Sequence, residues 1–226
     1  MAAKYDLMSQ LVFKFPFKKI YYEQDYYVSS NNFSAYRLIE SWPNWPGKWV
    51  NIYGHKGCGK THLSIILKKK IDKVQVIDSK SINNETILEL KKFECLIIDD
   101  YEKNIDEQIF YSLLNESKQL DNYVVINSIL PIRNIEFELK DLKSRAQSFV
   151  NLGIELPTDD LLRVIISKYF SDKQIEITPK ISEYIIKNID RSYEKVFKLI
   201  KEIDDLSLSS GKSININLIK KVLNDE

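Results

Sequence analysis

The segment Gly54-His55-Lys56-Gly57-Cys58-Gly59-Lys60-Thr61 restricts the folds open to this 226-residue chain more than any other stretch. It matches the pattern G-x-x-x-x-G-K-[ST]. It stands between an apolar run, Trp49-Val50-Asn51-Ile52-Tyr53, and apolar positions 63, 66, 67 and 71 at helical spacing. Strand, glycine-rich loop and helix in that order form a phosphate cradle. Glycines let successive backbone N–H groups curl around a β-phosphate, and the start of the helix adds partial positive charge. Lys60 is then expected to reach the β and γ oxygens, and Thr61 to ligate Mg²⁺. A glycine-rich turn arising by chance would not come with both flanks.

Four further apolar runs, Val74 to Ile77, Cys95 to Ile98, Tyr123 to Ile126 and Phe149 to Ile154, are separated by segments long enough for helices. Alternation of this kind predicts an α/β fold with a parallel five-stranded sheet covered on both faces. From Pro157 onward the strands give way to helical patterns with start signals. Thr158 is placed to cap a helix bearing Leu161, Leu162, Ile165 and Ile166. Thr178-Pro179 offers a second cap, and Ser192 a third before Val196, Leu199, Ile200 and Ile203. A last amphipathic segment carries Leu218, Ile219, Val222 and Leu223. The expected organisation is an extended arm over 1–20, an α/β domain over 21–156 and a small all-α domain over 157–226.

Hydrophobic residues make up 44% of the chain, enough for a buried core. With 33 basic against 32 acidic residues, long-range attraction to nucleic acid is not built into the composition. The run Lys68-Lys69-Lys70 ends the expected helix, where cations suit the dipole. Cys58 falls in the loop and Cys95 in a buried strand, poor placement for a disulfide, so a reducing cytoplasm is expected. No run approaches the roughly 18 apolar residues of a membrane span, and residues 1–20 lack a secretory apolar stretch. His55 and His62 have no metal-ligand grouping around them.

Leu96-Ile97-Ile98-Asp99-Asp100 is an apolar strand ending in two carboxylates, the Walker B arrangement. Asp99 is expected to assist Mg²⁺ through water, and Asp100 to polarise an attacking water from a side chain one methylene shorter than Glu. The strand ending at Ile126 delivers Asn127-Ser128, where a γ-phosphate sensor would sit; a loop Asn after a strand also serves plain turn chemistry.

These residues resemble the AAA+ core of the bacterial initiator DnaA, and more closely its short relatives of the Hda type. The resemblance rests on Gly54 to Leu63, Leu96 to Asp100, Leu142-Lys143-Ser144-Arg145 and the helical bundle after Pro157. It implies an AAA+ P-loop NTPase domain followed by a helical lid. Adenine nucleotide, ATP or ADP with Mg²⁺, would lie on Gly54, Lys56, Gly57, Cys58, Gly59, Lys60, Thr61 and His62, with Tyr27-Val28 covering the base. Tyr27 to Asn31 also reads as an ordinary strand and cap. The resemblance further implies that Arg145 is an arginine finger acting on a neighbouring subunit's γ-phosphate, and that Arg191 is a sensor arginine. Surface pairing, for Arg191 with Asp190 or Glu194, is the alternative for each.

Full initiators continue into a helix-turn-helix domain, whereas this sequence stops at Glu226, so sequence-specific DNA binding is not expected. Gln10-Leu11-Val12-Phe13-Lys14-Phe15 looks like the peptide by which Hda-type proteins bind the DNA polymerase III sliding clamp (beta subunit). Gln10 would bond at the pocket rim while Leu11, Phe13 and Phe15 insert; a strand packing on its own domain is the competing account. The expected function is thus an Hda-like regulator that stimulates ATP hydrolysis by the DnaA initiator, able to self-associate and without a membrane partner. The alternative is a DnaC-like helicase loader or another self-contained ATPase.

Overall fold

A computed structural model describes residues 23–102 and 105–224. Among these the chain divides into two compact units, one ending at Leu156 and the other beginning at Pro157. No helix among the described residues is long and apolar enough to cross a membrane.

The first unit alternates helices and strands: α1 (Phe33–Glu40), β1 (Trp49–Gly54), α2 (Lys60–Lys70), β2 (Val74–Asp78), α3 (Asn84–Glu89), β3 (Cys95–Tyr101), α4 (Glu107–Gln119), β4 (Tyr123–Ser128), α5 (Lys140–Gln147) and β5 (Val150–Ile154). The five strands form one sheet in the order β2-β3-β4-β1-β5, and every neighbouring pair is parallel. All five apolar runs are strands, with Phe149 left just outside β5 and buried. Their residues are continuous rather than alternating in hydrophobicity because both faces are covered: Val50, Ile52, Leu96 to Ile98 and Val124 to Ile126 are all buried.

Helix α4 shows how the cover is built. Asp106 accepts hydrogen bonds from the backbone N–H groups of Gln108 and Ile109, a cap of about 1 kcal/mol. Phe110, Leu113, Leu114 and Ser117, at spacings of three and four, form the buried face. That face joins Trp49, Leu96, Ile98, Val124, Ile126, Leu142 and Phe149 in the core.

The second unit is helical: α6 (Asp159–Ser171), α7 (Pro179–Lys187), α8 (Tyr193–Ser210) and α9 (Ile216–Asn224). Its core contains Leu162, Ile166, Phe170, Ile185, Val196, Leu199, Ile200, Ile203, Leu218, Ile219 and Val222. Thr158 caps α6 by accepting from Leu161 N–H at 3.3 Å. Thr178 and Ser192 occupy the expected N-cap positions of α7 and α8 but make no side-chain cap bond. Sequence spacing locates a cap residue without fixing its rotamer.

Candidate phosphate-binding site

The loop between β1 and α2 lies at the carboxyl end of the central part of the sheet, as Walker-type phosphate loops require. Gly57 (φ +83°) and Gly59 (φ +101°) adopt left-handed backbone that a side chain would resist. Gly59 holds the N-cap position of α2, so the first amides of the helix have no intrahelical acceptor and remain available to an anion. The Lys60 ammonium donates to Gly54 O at 2.6 Å and His55 O at 3.2 Å, holding the loop to itself through neutral carbonyls. Lys56 is exposed at the outer turn, while Cys58 is buried. Burial pushes the Cys58 thiol above its ordinary pKa, and the nearby Lys60 charge opposes that rise. Cys58 and Cys95 are both free thiols, as expected.

The ring that reaches the loop is Tyr26, one residue before the expected pair. A Cβ on Gly59 would stand 3.0 Å from Tyr26 Cε2. Tyr26 also stacks on Tyr36 at 5.8 Å and meets His62 edge-on at 5.2 Å. Tyr27 is 44% exposed, and the stretch around Val28 is not a strand. Asn32 folds it instead, accepting from Ser29 N–H at 2.9 Å and donating to Tyr27 O at 2.9 Å. Within the run Asp25-Tyr26-Tyr27, composition gives no signal for which tyrosine faces inward.

The acidic end of β3 is drawn to the loop. Thr61 Oγ1 donates to Asp99 Oδ2 at 2.9 Å. Asn127 Nδ2 donates to Asp99 Oδ1 at 2.8 Å and to Ser64 Oγ at 2.7 Å. Asp100 N–H adds a third donor to the Asp99 carboxylate at 3.1 Å. Asp100 itself is exposed and left-handed, φ +51°, because the β3–β4 register shifts between Ile98 and Tyr101. Ser79, buried after β2, pins that bulge by donating to Asp100 O at 2.8 Å. Neither Ser64 nor Ser79 stands out in the sequence, since a buried serine has no periodic signature.

A hydroxyl and a carboxylate 2.9 Å apart at the foot of a phosphate loop are the hard oxygen donors that Mg²⁺ takes. No group of three or more His, Cys, Asp or Glu that could hold a metal occurs among the described residues. The donor set therefore fits an ion that completes its shell with phosphate and water, not a caged one.

Arg145 is placed elsewhere. It lies on α5 in a cleft of about 570 Å³ lined also by Lys48, Trp49 and Asp121, at the amino end of β1. Its guanidinium donates to the neutral Asn115 Oδ1 at 2.7 Å. Arg191, just before α8, pairs with Asp159 at 3.0 Å. Neither Asp190 nor Glu194, the surface partners considered from sequence, is the carboxylate in that pair, and Asp190 bonds Lys195 instead. Gln10, Leu11, Phe13 and Phe15 lie outside the described residues.

No family model matches the chain. Among curated proteins it is similar to the chromosomal replication initiator protein DnaA of Buchnera aphidicola subsp. Baizongia pistaciae, 27% identical over 248 residues, covering 96% of this chain and 53% of that protein. The chain thus spans about half the length of the curated relatives it matches. In fold it is similar to domain III of the Thermotoga maritima replication initiation protein DnaA, with TM-score 0.74 and 20% identity over 89% of this chain and 95% of that one. AMPPCP-bound DnaA from Aquifex aeolicus aligns with TM-score 0.69 and 21% identity over 91% of this chain and 70% of its own. The sequence is thus similar to DnaA initiators over about half their length, and the parallel five-stranded sheet is the fold shared with domain III of DnaA.

Proposed function

We propose that this chain binds an adenine nucleotide with Mg²⁺ and acts as an Hda-like regulator of replication initiation, tethered to the sliding clamp and stimulating ATP hydrolysis by DnaA. The observation that supports the trans-acting part is the position of Arg145. Trp49, at the start of β1, lines the Arg145 cleft, while Gly54, at its end, opens the phosphate loop. Five residue steps at about 3.3 Å put roughly 16 Å of strand between them. A guanidinium there suits a phosphate held by another chain, with Asn115 keeping it extended.

The nucleotide part of the reading rests on the loop, on Lys60 and on the hydroxyl–carboxylate pair, and AMPPCP in the Aquifex aeolicus relative supports an adenine ligand. Lys60 exchanges the carbonyls of Gly54 and His55 for phosphate oxygens, a stronger, charge-assisted set. Thr61 and Asp99 hold the metal, which when bound neutralises charge on the β and γ oxygens. Asp100, exposed on its bulge, is the carboxylate that orients water in any turnover by this chain. Arg191, paired with Asp159 inside the helical unit 157–226, is the residue assigned as sensor arginine in this reading. Gln10, Leu11, Phe13 and Phe15 supply the clamp contact.

A second reading is favoured by the Buchnera relative, which is an initiator rather than a regulator: the chain would then be an initiator-like ATPase whose own turnover matters. One experiment separates the two. ATP hydrolysis by DnaA is measured on clamp-loaded DNA with the wild-type chain, Arg145→Ala, and Leu11→Ala/Phe13→Ala. The finger role predicts that Arg145→Ala loses stimulation by about 10³ or more while still binding ADP. The tether predicts that the double variant loses only the clamp-dependent part. Full stimulation by Arg145→Ala rejects the regulator reading, and clamp-independent turnover by the chain alone supports the second.

A further inference from the structure

Ser64 lies one turn beyond Thr61 on α2, on a helix face otherwise buried through Leu63, Ile66 and Leu67. It is only 1% exposed. A hydroxyl in such a place is costly unless bonded, and alanine would satisfy the packing equally well. The partner is Asn127, 63 positions away on β4, whose Nδ2 donates to Ser64 Oγ at 2.7 Å. The same amide nitrogen donates its second hydrogen to Asp99 Oδ1 at 2.8 Å. An amide NH₂ has two hydrogens, so both are committed within the protein. The Asn127 oxygen, fully buried, has no hydrogen-bond partner, so nothing on that side fixes the rotation of the side chain. Ser64 is thus the acceptor that sets the angle at which the amide meets Asp99.

We propose that Ser64 is a positioning residue for the metal: acting through Asn127, it orients the Asp99 carboxylate so that Asp99 and Thr61 together receive nucleotide-bound Mg²⁺. This rests on the nucleotide reading above. The geometry also gives Asn127 a part in holding Asp99, with no hydrogen left over for a γ-phosphate in this arrangement. Loss of Ser64 leaves one Asn127 hydrogen without its acceptor and lets the amide turn, so the carboxylate loses its fixed bearing on Thr61. Outer partners of metal-binding carboxylates commonly change metal affinity by about 10–100-fold when removed.

The test is ADP binding to the full chain by equilibrium fluorescence, first in EDTA and then across a MgCl₂ titration. Ser64→Ala is expected to raise the half-saturating Mg²⁺ concentration by about tenfold while leaving affinity in EDTA unchanged. Ser64→Thr, which keeps the hydroxyl, should behave as wild type. In an Asn127→Ala background, Ser64→Ala should have no further effect, because the path to Asp99 is already cut. Should Ser64→Ala fail to fold, Ser64→Cys keeps the volume with a poor acceptor and is read in the same way. The inference is overturned by an unshifted Mg²⁺ midpoint, by equal losses with and without EDTA, or by an undiminished effect in the Asn127→Ala background. Absence of ADP binding by the wild-type chain would show separately that the nucleotide reading itself had failed.

Discussion

Replacing Gly59 by alanine tests whether the loop is held in a shape set before any ligand arrives. Two costs follow from the structure. The backbone at φ +101° is left-handed, which costs a residue with a Cβ about 1–2 kcal/mol. The new Cβ would also lie 3.0 Å from Tyr26 Cε2. That ring has little room to retreat, being stacked on Tyr36 and set edge-on to His62. Overpacking of this kind adds about 1–3 kcal/mol, for a total of about 2–5 kcal/mol. In a chain of this length each kcal/mol lowers Tm by about 2–4 °C, so the expected fall is about 4–20 °C. Urea denaturation followed by circular dichroism measures the same loss as a shift in midpoint at constant slope. A double-mutant cycle divides it: in a Tyr26→Ala background the contact is gone, and Gly59→Ala should cost only the backbone part, about 1–2 kcal/mol. A variant within about 0.5 kcal/mol of wild type would refute the strain argument. An equal cost in both backgrounds would refute the role given to Tyr26.

Two further outcomes are expected. Asn51, fully buried in β1, donates to Ile126 O and Ser128 Oγ at 2.9 and 2.8 Å and accepts from Ile132 N–H at 2.8 Å. Asn51→Ala leaves that buried N–H unpaired and should lower the free energy of urea unfolding by about 2–4 kcal/mol, whereas a change below 0.5 kcal/mol would contradict the assignment. Burial raises the pKa of both Cys58 and Cys95, which keeps each as the unreactive thiol through neutral pH. Iodoacetamide should therefore label neither quickly in the folded protein at pH 7, with labelling rising on raising the pH or adding denaturant; rapid modification of Cys58 at pH 7 would count against its buried placement.

The parts of this molecule that could be read from sequence are those whose physics is local. A phosphate loop needs glycine, lysine and threonine within eight consecutive residues, and a covered parallel strand needs only an unbroken apolar run, so β1 to β5 and the Lys60-Thr61 pair were all visible. What escaped notice is joined across long separations. Asn51 reads as a polar interruption of a strand until Ser128, 77 positions on, gives it a partner. Ser64 meets Asn127 across 63 positions, and Tyr26 is singled out only by the space above Gly59. The acidic pair shows both cases at once. Two carboxylates at a strand end announce a metal-handling role, but only the bulge against β4 gives Asp100 its left-handed backbone and turns Asp99 alone toward Thr61. The consequence is a division of labour within one site. The local motif selects a polyphosphate, because it presents amides and an ammonium. The long-range hydrogen bonds decide how Asp99 meets the metal, and so how strongly Mg²⁺ governs what the loop holds. Substitutions in the network should therefore alter metal dependence before they alter phosphate affinity, while substitutions of the loop glycines or of Lys60 should do the reverse.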